Sequence, residues 1–136
     1  MNKPPKSKKP RKKRKFLLEA PLHRRRKMIV STLSDDLRKK YKRRNLVVRK
    51  GDKVKVLRGE HKGTTGEVIR VDTKEYKIYI EGINLKKASG EEVPKPIDPS
   101  NVMITSLFME DKERRKMLER KLKSKEINKK VKERGK

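Results

Sequence analysis

Charge is distributed unevenly along this 136-residue chain, and that distribution limits where a folded core can form. Residues 1–45 hold 19 basic and 3 acidic side chains (net +16), residues 46–107 hold 12 and 9 (+3), and residues 108–136 hold 13 and 6 (+7). A highly charged segment with few apolar side chains cannot bury enough surface to offset the entropy of ordering it. We therefore predict one folded domain in the middle, between two basic segments.

The N-terminal segment, residues 1–33, is predicted to be an extended basic arm. Its first 15 residues contain nine Lys or Arg, three Pro and no acidic residue. Repulsion between like charges and the fixed φ of proline both oppose compact structure. The arm should therefore be extended when no partner is bound.

Two further segments carry helix signals. Residues 34–45 predict a short basic helix, because Ser34 can cap its start and Leu37 and Tyr41 share a face at a spacing of four. Residues 108–136 predict a basic helical tail with a thin apolar stripe at Met117, Leu118 and Leu122. That stripe could pack on the folded domain, but we favour docking on RNA or on a neighbouring protein.

Residues 46–107 change to short, β-rich runs separated by Gly, Pro, Asp or Asn, which is typical of small barrels. The predicted strands are Leu46–Val48, Lys53–Leu57, Glu67–Asp72, Tyr76–Glu81, Ile83–Lys87 and Val102–Leu107. Poor alternation in the third run indicates a β-bulge. The sequence therefore predicts a mainly β fold.

A glycine-rich connection links the second and third predicted strands. Gly59, Gly63 and Gly66 allow tight turns and close approach to the main chain, and Arg58 and Lys62 flank them. This combination predicts a contact with a phosphate or sugar. The alternative is that the glycines serve only turn geometry and the cations are solvated.

The excess of 44 basic over 18 acidic residues predicts a polyanionic partner, because each neutralised phosphate releases condensed counterions. Nucleic acid is the expected partner. An anionic membrane is the rival, but apolar runs such as Met28–Val30 are too short to span or anchor. We expect no membrane association.

Enzymatic chemistry is not expected. The chain has no cysteine, and His23 and His61 are too few to hold a metal without other ligands. No paired histidine and acid and no apolar cluster of carboxylates is visible. We therefore predict no catalytic residue, metal, cofactor or small-molecule substrate.

The glycine-rich stretch with its flanking strands, residues 50–71, resembles the KOW motif of ribosomal proteins and transcription elongation factors. The positions that match are Gly51, Val54, Val56, Gly59, Lys62, Gly63, Gly66 and Val68. Four further segments are similar to the L-twenty-four family of archaeal and eukaryotic ribosomal proteins, called L-twenty-six in eukaryotes. They are Ala20–Met28, Leu33–Tyr41, Glu81–Asn84 and Pro99–Val102.

The resemblance implies an SH3-like β-barrel with a basic arm and a C-terminal helix. It also implies a structural constituent of the large ribosomal subunit that binds large-subunit rRNA near its 5′ region. Such proteins join early in assembly, lie near the polypeptide exit tunnel and contact neighbouring large-subunit proteins. We accordingly expect a cytoplasmic, ribosome-bound protein.

Two other function classes compete with this interpretation. A transcription regulator could use a KOW module on polymerase or nascent RNA, but such factors place a folded domain before the module, where this chain offers a basic arm. An enzyme would need a catalytic site, and none is visible in the sequence. Ribosomal RNA binding is the function that we predict.

The residues predicted to bind RNA share positive charge, an unpaired aromatic ring or a place in the glycine loop. They are Arg11, Lys12, Lys13, Arg14, Lys15, Phe16, His23, Arg24, Arg25, Arg26, Lys27, Lys39, Lys40, Arg43, Arg44, Arg58, Gly59, His61, Lys62 and Gly63.

Overall fold

The computed structural model describes residues 6–134, with side chains described for all of these except residues 121 and 125–134. The helices are α1 (Pro10–Glu19), α2 (Leu22–Met28), α3 (Asp35–Tyr41) and α4 (Lys112–Arg134), and a 3₁₀ turn spans Pro99–Asn101. The strands are β1 (Val30–Leu33), β2 (Asn45–Val47), β3 (Lys53–Val56), β4 (Thr65–Asp72), β5 (Lys77–Ile80), β6 (Asn84–Lys86), β7 (Glu92–Pro94) and β8 (Val102–Ser106). The predicted mainly β architecture is confirmed.

Six strands form one sheet in the order β2-β1-β8-β3-β4-β5, and β6 and β7 form a separate hairpin. All neighbours in the large sheet are antiparallel except β1 and β8, which are parallel. The two end strands do not pair with each other, so the strands form a barrel-like unit that is not closed. We call this unit, residues 30–33 and 45–106, the sheet module. All six predicted strands are present, at bounds within one or two residues.

The core lies under this sheet and draws one face from each long strand. Val54, Val68, Ile78 and Ile104 are fully buried, and they come from β3, β4, β5 and β8. Their alternation with exposed lysines, as in Lys53–Val56, follows from the two-residue period of a strand. The valines and isoleucines suit the pleated surface because β-branched side chains pack well on it.

The predicted bulge is confirmed in β4. Val68 pairs with Ile80 and Arg70 pairs with Tyr79, so the register passes over Ile69. A bulge adds one residue to one strand and redirects its side chain. Ile69 is consequently 47% exposed, although Val68 beside it is fully buried.

The extended arm is the first correction to the sequence-based expectation. Residues 10–19 and 22–28 are helical, and β1 belongs to the sheet, with Ser31 paired to Leu46 and Leu33 paired to Ile104. Pro10 suits the first helical position, and Lys, Arg and Leu are good helix formers, so local propensity outweighs repulsion between the charges. Residues 1–5 of the predicted arm lie outside the described part of the chain.

The C-terminal helix corrects a second expectation. We favoured docking of its apolar stripe on RNA or another protein, but Leu118 is 1% exposed and belongs to the main core. Met117 and Leu122 pack against the same core at partial exposure. The stripe is thin because the helix contributes only one fully buried apolar side chain in its described part, and the domain itself supplies the surface that covers it.

A buried ion pair fixes α4 to the sheet module. Arg114, on α4, is 1% exposed and donates from Nη1 and Nη2 to the two carboxylate oxygens of Asp52, at 2.6 and 2.7 Å. Asp52 also accepts from the backbone N–H groups of Arg49 and Phe108, both at 2.9 Å. Four hydrogen bonds therefore compensate for the loss of hydration of this carboxylate. Burying the carboxylate without such partners would cost too much free energy.

Candidate nucleic-acid interface

Helix α1 displays the densest run of positive charge among the described residues. Its five predicted cations, residues 11–15, are all exposed, and Phe16 after them is half-buried. The only ion pair of these cations in the described part of the chain joins Lys15 to Glu19 at 3.6 Å, between two exposed side chains. The remaining four are available to phosphates.

The sheet module holds α1 in place through Tyr76. This residue has a positive φ of 58°, and its hydroxyl donates to the carbonyl oxygen of Leu17 at 2.7 Å. Tyrosine rarely adopts positive φ, so the surrounding turn must impose it. The consequence is that the basic helix has an attachment to the folded domain.

Helix α2 carries two kinds of basic residue. His23, Arg26 and Lys27 are exposed, whereas Arg24 and Arg25 are half-buried. The Nε group of Arg25 donates to the carbonyl oxygen of Ala20 at 2.7 Å, and its Nη2 donates to that of Leu18. Arg25 therefore holds the end of α1 against α2, a structural task that its place in a basic run concealed.

Helix α3 adds a further basic surface, as predicted for a helix at this position. Lys39, Lys40 and Arg44 are exposed, and Arg43 is half-buried. The ammonium of Lys40 lies 5.5 Å from the ring centroid of Tyr41, within the range of a cation–π contact. Lys39 on the helix and Arg44, three residues after its end, add further exposed positive charge.

The glycine loop is the β3–β4 connection, and its shape comes from backbone hydrogen bonds. Gly59 and Gly63 have φ values of +93° and +90°, which L side chains rarely adopt. The N–H of Gly63 donates to the oxygen of Val56 at 2.8 Å, and that of Lys62 to Gly59 at 3.1 Å. Because these amides are occupied inside the loop, a phosphate would meet the exposed side chains of Arg58 and Lys62 first.

The third glycine of the predicted loop has a different role. Gly66 lies inside β4 and has no positive φ. A Cβ atom there would stand 2.6 Å from Cγ2 of Ile80 and 2.7 Å from the carbonyl oxygen of Glu81, closer than atoms can approach. Gly66 is therefore required for the close approach of the neighbouring chain, and not for a turn.

A hollow beside the loop gathers Arg58, Gly59 and His61 with Lys95. Nζ of Lys95 donates to Glu60 at 2.7 Å and lies 3.5 Å from Nε2 of His61. The hydrogen bond from Lys95 holds the pKa of the Glu60 carboxyl below its usual value, and the positive charge of Lys95 lowers that pKa further. Glu60 thus stays ionised and offsets part of the positive charge of the loop.

A larger groove of about 850 Å³ lies on another side of the module. We call it the lateral groove, and its walls come from α2, from the end of β2 with the turn after it, from β4 and from α4. Its lining consists of Arg26, Lys27, Leu46, Val47, Val48, Arg49, Lys50, Ile69, Arg70, Val71, Thr73, Arg114 and Met117. Six of these residues are basic, six are apolar and none is acidic.

The structure thus separates the predicted site residues into several surfaces. Arg26 and Lys27 line the lateral groove, whereas Arg58, Gly59 and His61 line the hollow beside the glycine loop. Arg49, Lys50 and Arg70 were not predicted, because turn and strand segments concealed them. The predicted bulge in β4 was the one signal near them, since bulges often redirect side chains toward functional surfaces.

Membrane-spanning helices and metal sites are both missing from the described range, residues 6–134. No helix there combines the length and apolar character needed to cross a membrane. No group of three or more His, Asp or Glu side chains in that range is placed to hold a metal ion.

Comparison with known proteins identifies the class to which this fold and basic surface belong. Residues 7–121 match the model of a family described as the eukaryotic L-twenty-six and archaeal L-twenty-four ribosomal proteins. The chain is 52% identical over 116 residues to "Large ribosomal subunit protein uL24" of Korarchaeum cryptofilum, covering 85% of this chain and 88% of that protein. It is 53% identical over 112 residues to the protein of the same name from Methanospirillum hungatei, covering 82% and 93%.

The chain is therefore a ribosomal protein, which confirms the class indicated by its motifs. More specifically, it belongs to the family of eukaryotic L-twenty-six and archaeal L-twenty-four proteins. Membership makes it a structural, non-enzymatic constituent of the large ribosomal subunit, associated with rRNA and other ribosomal proteins.

Proposed function

We propose that this protein binds large-subunit rRNA near its 5′ region and helps to initiate assembly of the subunit. We further propose that it lies near the polypeptide exit tunnel of cytoplasmic ribosomes, beside other large-subunit proteins. The resemblance of its arm, its KOW-like loop and its two later segments to the family implies these finer points. The observation that carries the proposal is the set of exposed cations on α1, α2 and α3, supported by family membership.

The proposed mechanism begins with charge neutralisation. Exposed Lys and Arg side chains on the three helices replace condensed counterions on the phosphates, which supplies affinity without sequence preference. Hydrogen bonds from Arg are especially suited to phosphate because the guanidinium fork is planar and can donate twice. The proposed RNA contacts are those predicted from the sequence, with Arg25 also holding α1 to α2.

Positioning is the proposed task of the sheet module. The groove that carries base edges in A-form RNA is too deep and narrow for side chains, so recognition rests mainly on backbone shape and on unpaired nucleotides. The glycine loop offers Arg58 and Lys62 on a fixed turn, and the module fixes α1 through Tyr76. In this scheme the helices supply affinity through phosphate contacts, and the sheet module sets their orientation.

The rRNA region is tested by titrating the full chain with two transcripts of equal length, one from the 5′ domain and one from the 3′ domain of large-subunit rRNA. At physiological salt, proteins in well-studied systems bind their specific nucleic-acid sites at least about 1,000-fold more tightly than non-specific sites. We expect at least tenfold preference for the 5′ transcript. Equal affinity for the two transcripts would contradict the proposed region.

The assembly role is tested by pulse-labelling this protein and following it through precursor particles of the large subunit. Early entry predicts label in the smallest precursors, before most other large-subunit proteins are present. A late-joining ribosomal protein is the matched control. Label found only in nearly complete subunits would contradict a role in initiation.

A further inference from the structure

We propose that the lateral groove binds a single unpaired nucleotide of the RNA, with its base against the apolar wall and its phosphates on the basic rim. This inference rests on the proposed function, since it assumes that RNA is the partner. It adds a base-binding site to a surface otherwise explained by phosphate contacts alone.

The apolar wall is formed around a residue that the fold displaces outward. Ile69 is passed over in the register between β4 and β5 and is 47% exposed. Val47, Val71 and Met117 line the same groove and are half-buried. An isoleucine left in water at a bulge gives no packing benefit to the fold, whereas the flat apolar face of a base would cover it.

The rim supplies positive charge from three separate elements. Arg26 and Lys27 come from α2, Arg49 and Lys50 from the turn after β2, and Arg70 from β4. Arg49 is paired with Asp111, and Arg70 lies 3.5 Å from Asp72. Within the described part of the chain, the other three make no ion pair, so they are available to phosphates.

The cations at this rim are close enough to lower the pKa of one of them, Arg49. Burial lowers the pKa of the Arg49 guanidinium, and the positive charges of Arg114 and Arg26 lower it further. Asp52 opposes this effect in part. A phosphate bound at the rim would relieve the repulsion between these cations, which favours an anionic ligand over a neutral one.

Size and chemistry select a nucleotide among anionic ligands. The groove volume of about 850 Å³ falls within the range of about 300 to 1,000 Å³ typical of small-ligand sites. RNA-binding proteins recognise unpaired nucleotides by contacting the base faces and edges, and cations beside the base bind the backbone. An acidic peptide or an anionic lipid could also bring negative charge, so both are treated as alternative outcomes.

The first test compares Ile69→Glu with Leu85→Glu in the full chain. Leu85 lies on β6, is 52% exposed and does not line the groove, so it controls for placing a carboxylate on an exposed strand position. With the 5′-domain transcript, Ile69→Glu should bind about fivefold to a hundredfold more weakly, the range that loss of one base contact produces. Leu85→Glu should bind as the wild type does.

The result separates this inference from the proposed function. A wild-type chain that fails to bind the transcript would overturn both. A wild-type chain that binds, with Ile69→Glu matching Leu85→Glu, would overturn only the groove assignment. Thermal unfolding of both variants checks that the carboxylate has not disturbed the core.

The second test identifies the occupant even if Ile69→Glu folds poorly. A photoreactive benzophenone side chain replaces Ile69 in one full-length chain and Leu85 in another, and each is assembled into large subunits. Irradiation should join residue 69 to rRNA. Crosslinks from residue 69 to another protein or to lipid, or crosslinks to RNA no more frequent than those from residue 85, would overturn the proposal.

Discussion

The sheet module and the N-terminal helices use their charges in different ways. In the module, six of the twelve cations have an acidic partner, for example Lys95 with Glu60 and Lys77 with Asp98. The buried Asp52 of the module pairs with Arg114 of α4. In the described part of residues 1–28, only Lys15 has an acidic partner, and both side chains are exposed. Half of the module's cations are therefore compensated within the protein, whereas most cations on the N-terminal helices are free for another molecule.

This contrast explains why the net charge of a segment does not show which of its surfaces are basic. Residues 46–107 carry a net charge of only +3, yet they include Arg49, Lys50 and Arg70 on the rim of the lateral groove. Some acids of the same range are buried, as Asp52 is against Arg114 of α4. A nearly neutral domain can thus present a basic surface when its acids are buried or turned away.

Among the changes that test this contrast, the largest expected effect is a loss of stability on breaking the buried ion pair between Arg114 and Asp52. Replacing Arg114 with Met leaves the Asp52 carboxylate buried without its charged partner, which typically costs about 3–5 kcal/mol. We expect the free energy of unfolding, measured by urea denaturation, to fall by that amount.

The matched control for that change is Arg115→Met, one position along α4, where the side chain is exposed. It should shift the free energy of unfolding by less than about 0.5 kcal/mol. Equal losses for the two variants would show that the Asp52 pair does not hold α4 on the module.

A smaller effect is expected where the backbone approaches closely. Gly66→Ala places a methyl group against Ile80 and the carbonyl oxygen of Glu81, and such overpacking costs about 1–3 kcal/mol. Thr65→Ala, on the same strand and exposed, is the control and should be nearly neutral. Denaturant midpoints with unchanged slopes would measure both, and a neutral Gly66→Ala would refute the assigned contact.

The smallest stability effect is expected at Asp98, which precedes the 3₁₀ turn. Its carboxylate accepts from the hydroxyl of Ser100 at 2.6 Å and from the Ser100 N–H at 3.0 Å. Loss of such a cap costs about 0.5–2 kcal/mol, so Asp98→Ala should destabilise the fold by that amount at neutral pH. Glu81→Ala, at an exposed turn position, serves as the control.

The pH dependence of the Asp98 effect has a defined sign. The hydrogen bond from the Ser100 hydroxyl is the main cause that holds the pKa of Asp98 below its usual 3.8, although burial opposes it. A depressed pKa in the folded state contributes stability that is complete above the unfolded value and is lost as pH falls through the folded value. The difference between wild type and Asp98→Ala should therefore narrow below about pH 3.8 and stay constant near neutrality.

Sequence periodicity was sufficient for most of the fold, because strand alternation and turn residues are local signals. It located six strands, the bulge in β4 and the short helix α3. It missed β1, since the run Val30–Leu33 follows a cluster of arginines and its pairing with β8 joins residues far apart in the chain, such as Leu33 and Ile104. Long-range pairing of that kind leaves little trace in a local pattern.

The candidate site was predictable in its charge and not in its geometry. The exposed cations on α1 could be predicted from composition. The hydrogen bond from Tyr76 to Leu17 could not, because it depends on a positive φ at Tyr76 that a tyrosine in a sequence does not predict. Arg25 and Arg26 are adjacent and chemically identical, yet one donates to helix-end carbonyls and the other lines the lateral groove. Only tertiary structure separates such neighbours.

The position of β1 in the sheet determines how the basic N-terminal segment can be tested. Removing residues 1–33 would delete β1 from between β2 and β8, so loss of RNA binding could reflect loss of the fold. Substitution of exposed side chains on α1 avoids this problem. The matching surface for a control is the exposed set Lys74, Lys86 and Lys87 on the sheet module.

The central claim is that cations on α1 bind RNA phosphates, whereas the exposed lysines of the sheet module do not. The salt dependence of RNA binding tests it most directly. Changing Lys12, Lys13 and Arg14 to Gln removes three charges from α1, and changing Lys74, Lys86 and Lys87 to Gln removes three from the module. Each lost phosphate contact lowers the slope of log affinity against log salt by about 0.7–0.9. We predict a slope flatter by about 2–3 for the α1 variant, with unchanged unfolding, and an unchanged slope for the module variant. Equal slopes for both variants would contradict the account.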